Sequence, residues 1–168
     1  MDTGKLLAII GGIITFAGTW WLSLFAVSTT EFVFAVGGIM RFSDVVANAA
    51  TNPLGVEAWV IYLILVVYCI FLLSFILQLL GGKSRISAFI GSLLPLAVGV
   101  FIMIYSLSSQ LGIVYDVMST FAGASLIDNW FPFHYVIGTQ VEAIGTYAIT
   151  FGSFLALISS FIPRHDEY

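Results

Sequence analysis

Residues 58–80 read AWVIYLILVVYCIFLLSFILQLL, an unbroken apolar run without a charged side chain. The hydrocarbon core of a bilayer is about 30 Å thick, so a helix needs about 20 apolar residues to cross it. The whole chain has the same character, since it is 60% hydrophobic and 8% charged and its mean hydropathy is +1.09. This composition predicts an integral membrane protein, because an ordinary soluble domain has about 25% charged residues.

Three further segments are long and apolar enough to span the membrane. We therefore predict an all-α integral membrane fold, a single bundle of four transmembrane helices over residues 1–168. The first span is longer than the apolar region of a typical signal peptide, so we expect it to be retained. The predicted spans are Leu6–Val27, Ala58–Leu80, Ile86–Leu107 and Val141–Ile162.

The basic residues predict which way the bundle is oriented. With four spans, Lys5, Lys83, Arg85 and Arg164 share one side of the membrane, and only Arg41 lies on the other. Loops rich in Lys and Arg stay in the cytoplasm. We expect a multi-pass protein of the cell membrane with cytoplasmic N and C termini and an acidic outer face.

Two stretches of the chain share an unusual phrase, VEAWVIYLI at 56–64 and VEAIGTYAI at 141–149. The first and third spans also correspond, at an offset of 80 residues, with Ala8 matching Ala88 and Gly11 matching Gly91. These matches occur in a common order. They predict a tandem duplication of a two-helix hairpin, with repeat 1 at about 5–80, repeat 2 at about 85–162, and a pseudo-two-fold axis along the membrane normal.

The two long loops, each of about 30 residues, are too apolar to be freely solvated, and exposed apolar surfaces of this kind mark interfaces. In the first loop, FVFAV at 32–36 and IMRF at 39–42 flank Gly37-Gly38. Two β-prone runs around a Gly-Gly pair predict a hairpin with a tight turn. We expect the loops to form a small extracellular cap or to pack against another protein.

Glu57 and Glu142 are the candidate ligand-binding residues, because each opens one copy of the shared phrase. If the two-fold axis exists, both carboxylates lie near it at the outer ends of their spans. Such a pair would bind a cation or share a proton. The alternative is that each Glu caps a helix N-terminus, where a negative charge is favoured.

Small residues predict where the helices pack closely. A four-residue spacing of such residues in the fourth span predicts a helix-packing interface, either inside the bundle or with a partner. In the third span, Pro95 removes a backbone hydrogen bond to Gly91 and predicts a kink. The packing residues of the fourth span are Ala148, Gly152, Ala156 and Ser160.

The sequence contains no pattern typical of an enzyme, a metal site or a cofactor site. His134 and His165 fall on opposite sides of the membrane, so they do not jointly bind a haem. There is no zinc spacing, no phosphate-binding loop and no basic patch for nucleic acid. We expect no catalytic residues, no metal and no cofactor.

The leading functional prediction is a non-catalytic membrane protein that acts through assembly. Its partners would be the lipid bilayer and either further copies of itself or other membrane proteins, as an accessory subunit of a larger complex. One alternative is a small channel or transporter with a site at Glu57 and Glu142. Another is a quinone-associated subunit of a respiratory complex.

The predicted layout resembles that of tetraspan families such as the claudins, with cytoplasmic termini, two outer loops and a short inner turn. The resemblance is one of topology. The claudin first-loop pattern of a Trp, then G-L-W, with two Cys does not occur here, because the first loop contains neither Trp nor Cys.

Overall fold

The computed structural model describes residues 2–26, 32–39, 42–48, 57–108, 135–138 and 142–163. Four helices in these ranges are long and apolar enough to cross a membrane, which confirms the prediction of a membrane protein built on four helices. A fifth, short helix lies between the first two. The helices are α1 (Thr3–Trp20), α2 (Phe42–Asn48), α3 (Ala58–Leu80), α4 (Arg85–Ser108) and α5 (Ile144–Phe161).

The four long helices form a ring. Each packs mainly on two neighbours, so that the order around the bundle is α1, α3, α4, α5 and back to α1. The turn 81–84 connects α3 to α4, and we call this side of the bundle the turn end and the opposite side the loop end. The closest packing is between α1 and α5, whereas α3 is the least covered helix, with 28% of its span buried against 39% for α1 and α5.

A two-stranded antiparallel sheet follows α1, and it differs from the predicted hairpin. β1 (Ser23–Ala26) pairs with β2 (Phe32–Phe34), whereas Gly37 and Gly38 lie in a 3₁₀ helix, Ala35–Ile39. The prediction of a hairpin turning at Gly37-Gly38 was therefore wrong, and the first predicted span was too long by the residues of β1. The second error arose because an apolar run that is buried on all sides reads alike as helix and as strand.

The sheet lies beside α3 rather than beyond its end. Trp20 Nε1 donates a hydrogen bond of 3.1 Å to the Leu72 carbonyl, and the Tyr68 hydroxyl donates to the carbonyl of Ala35. From Leu72, α3 continues to Ala58, about 21 Å farther toward the loop end at 1.5 Å per residue. The sheet and the 3₁₀ helix thus occupy the space above the shorter α1 and α5, alongside the loop-end half of α3.

Extended backbone also leads into α5. Glu142 forms an antiparallel bridge with Phe25 of β1, and Ala143 forms another with Val136. Backbone groups away from water need hydrogen-bond partners. These bridges provide such partners where the backbone lies in neither a helix nor a long strand. The predicted cap is described only in these parts, because residues 109–134 of the second loop lie outside the described residues.

Candidate functional site

Glu142 is a buried carboxylate at the start of α5. Only 6% of its surface is exposed, because its backbone pairs with β1 and β1 is fully buried. The sheet packs in one cluster with Phe71 and Leu72 of α3, so Glu142 lies well inside the length of that helix. Burying a carboxylate is costly unless it is paired and hydrogen-bonded, which makes Glu142 a candidate functional residue.

The Tyr147 hydroxyl donates a hydrogen bond to the Glu142 carboxylate. The Ile137 carbonyl lies 3.4 Å from the same hydroxyl. Gly138 adopts a positive φ of 86°, and a Cβ at this position would lie 3.1 Å from a Glu142 carboxylate oxygen. The carboxylate of Glu142, the hydroxyl of Tyr147 and the carbonyl of Ile137 therefore lie close together beside Gly138, whose positive φ favours glycine.

Sequence reasoning missed the contact between Glu142 and Tyr147. A separation of five residues does not bring two side chains together on a regular helix. Here Glu142 precedes the helix, which begins at Ile144, so its side chain is free to fold back along the first turn. The signal that was available is the Val-Glu-Ala phrase itself, with Tyr five residues after Glu.

Glu57 occupies a different environment. It is exposed, it is the N-cap residue of α3 without a capping hydrogen bond from its side chain, and it accepts a hydrogen bond from Trp59 Nε1. Glu57 lies at the very end of α3, whereas Glu142 lies beside the sheet that packs on Leu72. The two carboxylates are thus at different levels of the bundle, and the expected symmetric pair is not what the geometry presents.

The small residues of α5 pack inside the bundle. A Cβ built on Gly152 would lie 2.7 Å from the Gly11 carbonyl oxygen and 2.7 Å from the Thr15 amide nitrogen. One built on Gly11 would lie 2.8 Å from the amide nitrogen of Ala156. Gly152 and Ala156 are buried and Ala148 and Ser160 are half-buried, so α1 takes up the centre of this packing interface.

Pro95 lies inside α4, which continues through it to Ser108. A proline cannot donate to the carbonyl four residues earlier, which is that of Gly91. Gln78 Nε2 of α3 donates to this carbonyl at 3.0 Å, and Gly91 allows the approach, since a Cβ there would lie 2.6 Å from Leu77 Cβ. The neighbouring helix thereby satisfies the group that proline frees, which is how membrane helices tolerate proline.

A groove of about 620 Å³ runs along the outside of α3, between α3 and α2. Phe42 and Val46 of α2 form one wall. The α3 residues that line it include five exposed side chains at alternating spacings of four and three. This is the spacing of a helix seam that receives a second helix, and the five residues are Tyr62, Val66, Cys69, Leu73 and Ile76.

No cluster of three or more potential metal ligands occurs among the described residues. Comparison with family models, with curated proteins and with solved structures finds no match for this chain. Its function has to be inferred from its own residues.

Proposed function

We propose that this protein is a non-catalytic, multi-pass protein of the cell membrane that acts through assembly, with both termini in the cytoplasm. It is a homo-oligomer or an accessory subunit of a larger membrane complex. The observation that carries the proposal is the seam on α3, defined above by five exposed residues at heptad-like spacing. The small-residue stripe of α5 no longer supports it, because α1 already covers that stripe.

The α3 seam has the features of a helix-binding surface. It extends over residues 62–76, about 21 Å at 1.5 Å per residue, which is most of the thickness of a membrane. Its side chains are one aromatic ring, one thiol and three branched aliphatic groups, and α2 forms a wall along one edge. Association between membrane helices depends on this kind of shape-matched contact, because lipid is as apolar as the helices themselves.

Cys69 provides a direct test, because it is exposed and is the middle residue of the seam. Two copies that share one orientation in the membrane and meet at this seam are related by a two-fold axis, which places each seam residue near its own copy. A disulfide requires Cα atoms within about 7 Å. We expect mild oxidation in native membranes to produce a covalent dimer through Cys69.

The matched control moves the thiol off the seam. In the double variant Cys69→Ser with Leu63→Cys, the cysteine is again exposed on α3, about 9 Å nearer the loop end, because Leu63 is 52% exposed but does not line the groove. It should not cross-link. Native mass spectrometry then separates the alternatives, since a heteromeric mass without the dimer indicates an accessory subunit, and a lone monomer contradicts assembly.

The proposed tandem duplication is supported by the ring order, which a two-fold rotation exchanging α1 with α4 and α3 with α5 would preserve. Ala8 and Ala88 are both fully buried. The Ser74 hydroxyl donates to the Phe71 carbonyl at 2.7 Å, and its counterpart Ser159 donates to the residue three earlier at 2.6 Å. These pairs have the offsets that the sequence suggests, 80 and 85.

One contact argues for divergence between the two copies. Gly11 packs on Gly152 and Ala156, whereas its counterpart Gly91 packs on Ser74 and Gln78. At an offset of 85, the counterparts of Gly152 and Ala156 are Val67 and Phe71. These lie seven residues before Ser74 and Gln78, which Gly91 actually contacts. If the two hairpins share an origin, the contact between α4 and α3 is shifted along α3 by about two helical turns relative to the contact between α1 and α5.

A second candidate function, a small channel or transporter, is favoured by the burial of Glu142. Carboxylates inside membrane bundles often lie on ion or proton pathways. The test is ion or proton flux into liposomes that contain the purified protein. We expect Glu142→Gln to abolish any flux and the exposed Glu57→Gln to leave it unchanged; equal behaviour of the two variants would remove this candidate.

A further inference from the structure

The four helices meet at one buried polar cluster, formed by Thr15 of α1, Gln78 of α3, Ser153 of α5 and the Gly91 carbonyl of α4. Gln78, Thr15 and Ser153 are fully buried. Gln78 Nε2 donates to the Gly91 carbonyl at 3.0 Å and to Ser153 Oγ at 3.3 Å. Ser153 Oγ lies 3.4 Å from Thr15 Oγ1.

The hydrogen-bonding capacity of this cluster is not fully used. The side-chain amide of Gln78 has two hydrogens, and both have acceptors, whereas Gln78 Oε1 has no hydrogen-bond partner among the described residues. The hydroxyls of Thr15 and Ser153 carry one hydrogen each. A single contact joins them, so one hydroxyl hydrogen remains to be donated.

The serines on the neighbouring turns cannot supply the missing partner, because each already donates within its own helix. Ser74 donates to Phe71, Ser92 to Phe89, and Ser159 to Ala156. The cluster is left with one unused acceptor, Gln78 Oε1, and one unused donor, the spare hydroxyl hydrogen. A group that accepts one hydrogen bond and donates another would satisfy both.

We propose that a single buried water molecule is bound at this cluster, donating to Gln78 Oε1 and accepting from the Thr15 hydroxyl, while the Ser153 hydroxyl donates to Thr15 Oγ1. Buried waters in proteins bridge polar groups of this kind, with two to four hydrogen bonds each. An unpartnered amide oxygen in a membrane interior is costly because no bulk water can reach it. The proposal is independent of the assembly function, since it concerns the inside of one bundle.

The test is magnetisation transfer from water to amide groups, measured by solid-state NMR on the uniformly ¹⁵N-labelled protein in lipid bilayers. The chain contains three Gln, at 78, 110 and 140, and Gln78→Met identifies the signal of interest by its loss. We expect transfer to the Gln78 amide to be clearly faster than to the backbone amide of Ile149, which is fully buried among apolar residues. Transfer as slow as that of Ile149 would overturn the proposal.

A pair of Thr→Val variants locates the water. Val has nearly the shape of Thr but no hydroxyl, so Thr15→Val should slow the transfer to Gln78 severalfold. Thr19→Val is the matched control, because Thr19 is equally buried but donates to the carbonyl of Thr15 within its own helix at 2.9 Å. Unchanged transfer in both variants would contradict the bridged geometry.

Discussion

The α1–α5 interface and the outer surface of α3 present opposite kinds of helix surface. Between α1 and α5, glycines bring backbones into contact, and an added methyl group would lie within 3 Å of neighbouring main-chain atoms. On α3, large side chains such as Val66 and Leu73 are about half exposed, and a groove remains beside them. Small residues therefore form the close contact between α1 and α5, whereas the large apolar residues on the outer face of α3 are left for lipid or a partner.

The largest effect is expected at the tight interface. Gly152→Leu places a branched side chain against the Gly11 carbonyl and the Thr15 backbone, and we expect a loss of about 3 kcal/mol in the free energy of unfolding, at the upper end of overpacking costs. The measurement is unfolding in mixed micelles with increasing denaturing detergent. Ala97→Leu is the control, because Ala97 is exposed on α4 and should tolerate the same side chain.

Gln78 of α3 donates hydrogen bonds to α4 and to α5. Its removal should cause the next largest loss in the free energy of unfolding. Gln78→Met keeps the length of the side chain but leaves the Gly91 carbonyl without its donor, which we expect to cost about 2 kcal/mol. In Pro95→Ala the backbone N–H of residue 95 returns as a donor to Gly91. The two changes should therefore couple by at least about 0.5 kcal/mol in a double-mutant cycle; strict additivity would show that Gln78 does not compensate for the proline.

The two Tyr residues of the shared phrase give a smaller and matched comparison. Tyr147→Phe removes the hydroxyl that donates to the buried Glu142, and we expect a cost of about 1–2 kcal/mol. Tyr62→Phe removes a hydroxyl from an exposed side chain, so its effect should be close to zero. Equal losses in the same unfolding measurement would mean that the two copies have equivalent surroundings after all.

The smallest effect on stability is expected on the α3 seam. Val66→Ala and Leu73→Ala shorten exposed side chains, so each should change the free energy of unfolding by less than about 0.5 kcal/mol. Both should nevertheless reduce the yield of the Cys69 cross-linked dimer, because they remove contacts on either side of it. A large loss of stability in the monomer would show that these side chains pack within the bundle instead.

The helix α3 illustrates how much of the fold the sequence could predict. Its predicted and observed bounds are the same, Ala58–Leu80, because charge-free length alone defines a membrane-spanning helix. Because residues 58–80 are uniformly apolar, the sequence did not indicate which face of the helix forms the α3 seam. Which face is covered depends on where the other three helices pack, and no local pattern records that.

Glu142 shows the opposite case, in which the surroundings of a candidate residue differ from those that the sequence suggested. The repeat drew attention to Glu57 and Glu142 together, and symmetry suggested that they share a site. The surroundings of the two residues differ, because strand β1, which follows α1, pairs with Glu142. The first predicted span, Leu6–Val27, placed Ser23–Ala26 in a helix. The burial of Glu142 beneath this strand could therefore not be foreseen.

The sequence by itself determined that the chain is suited to a membrane, how many helices are long enough to span it and where the small residues lie. These properties follow from apolar length and side-chain size. Only the tertiary structure decided which residues those small positions face, that Gln78 satisfies the carbonyl freed by Pro95, and that Glu142 rather than Glu57 is buried. Each of these depends on a contact between segments far apart in the chain. Such contacts are fixed by the packing of the whole bundle, since lipid offers polar backbone and side-chain groups no partner outside it.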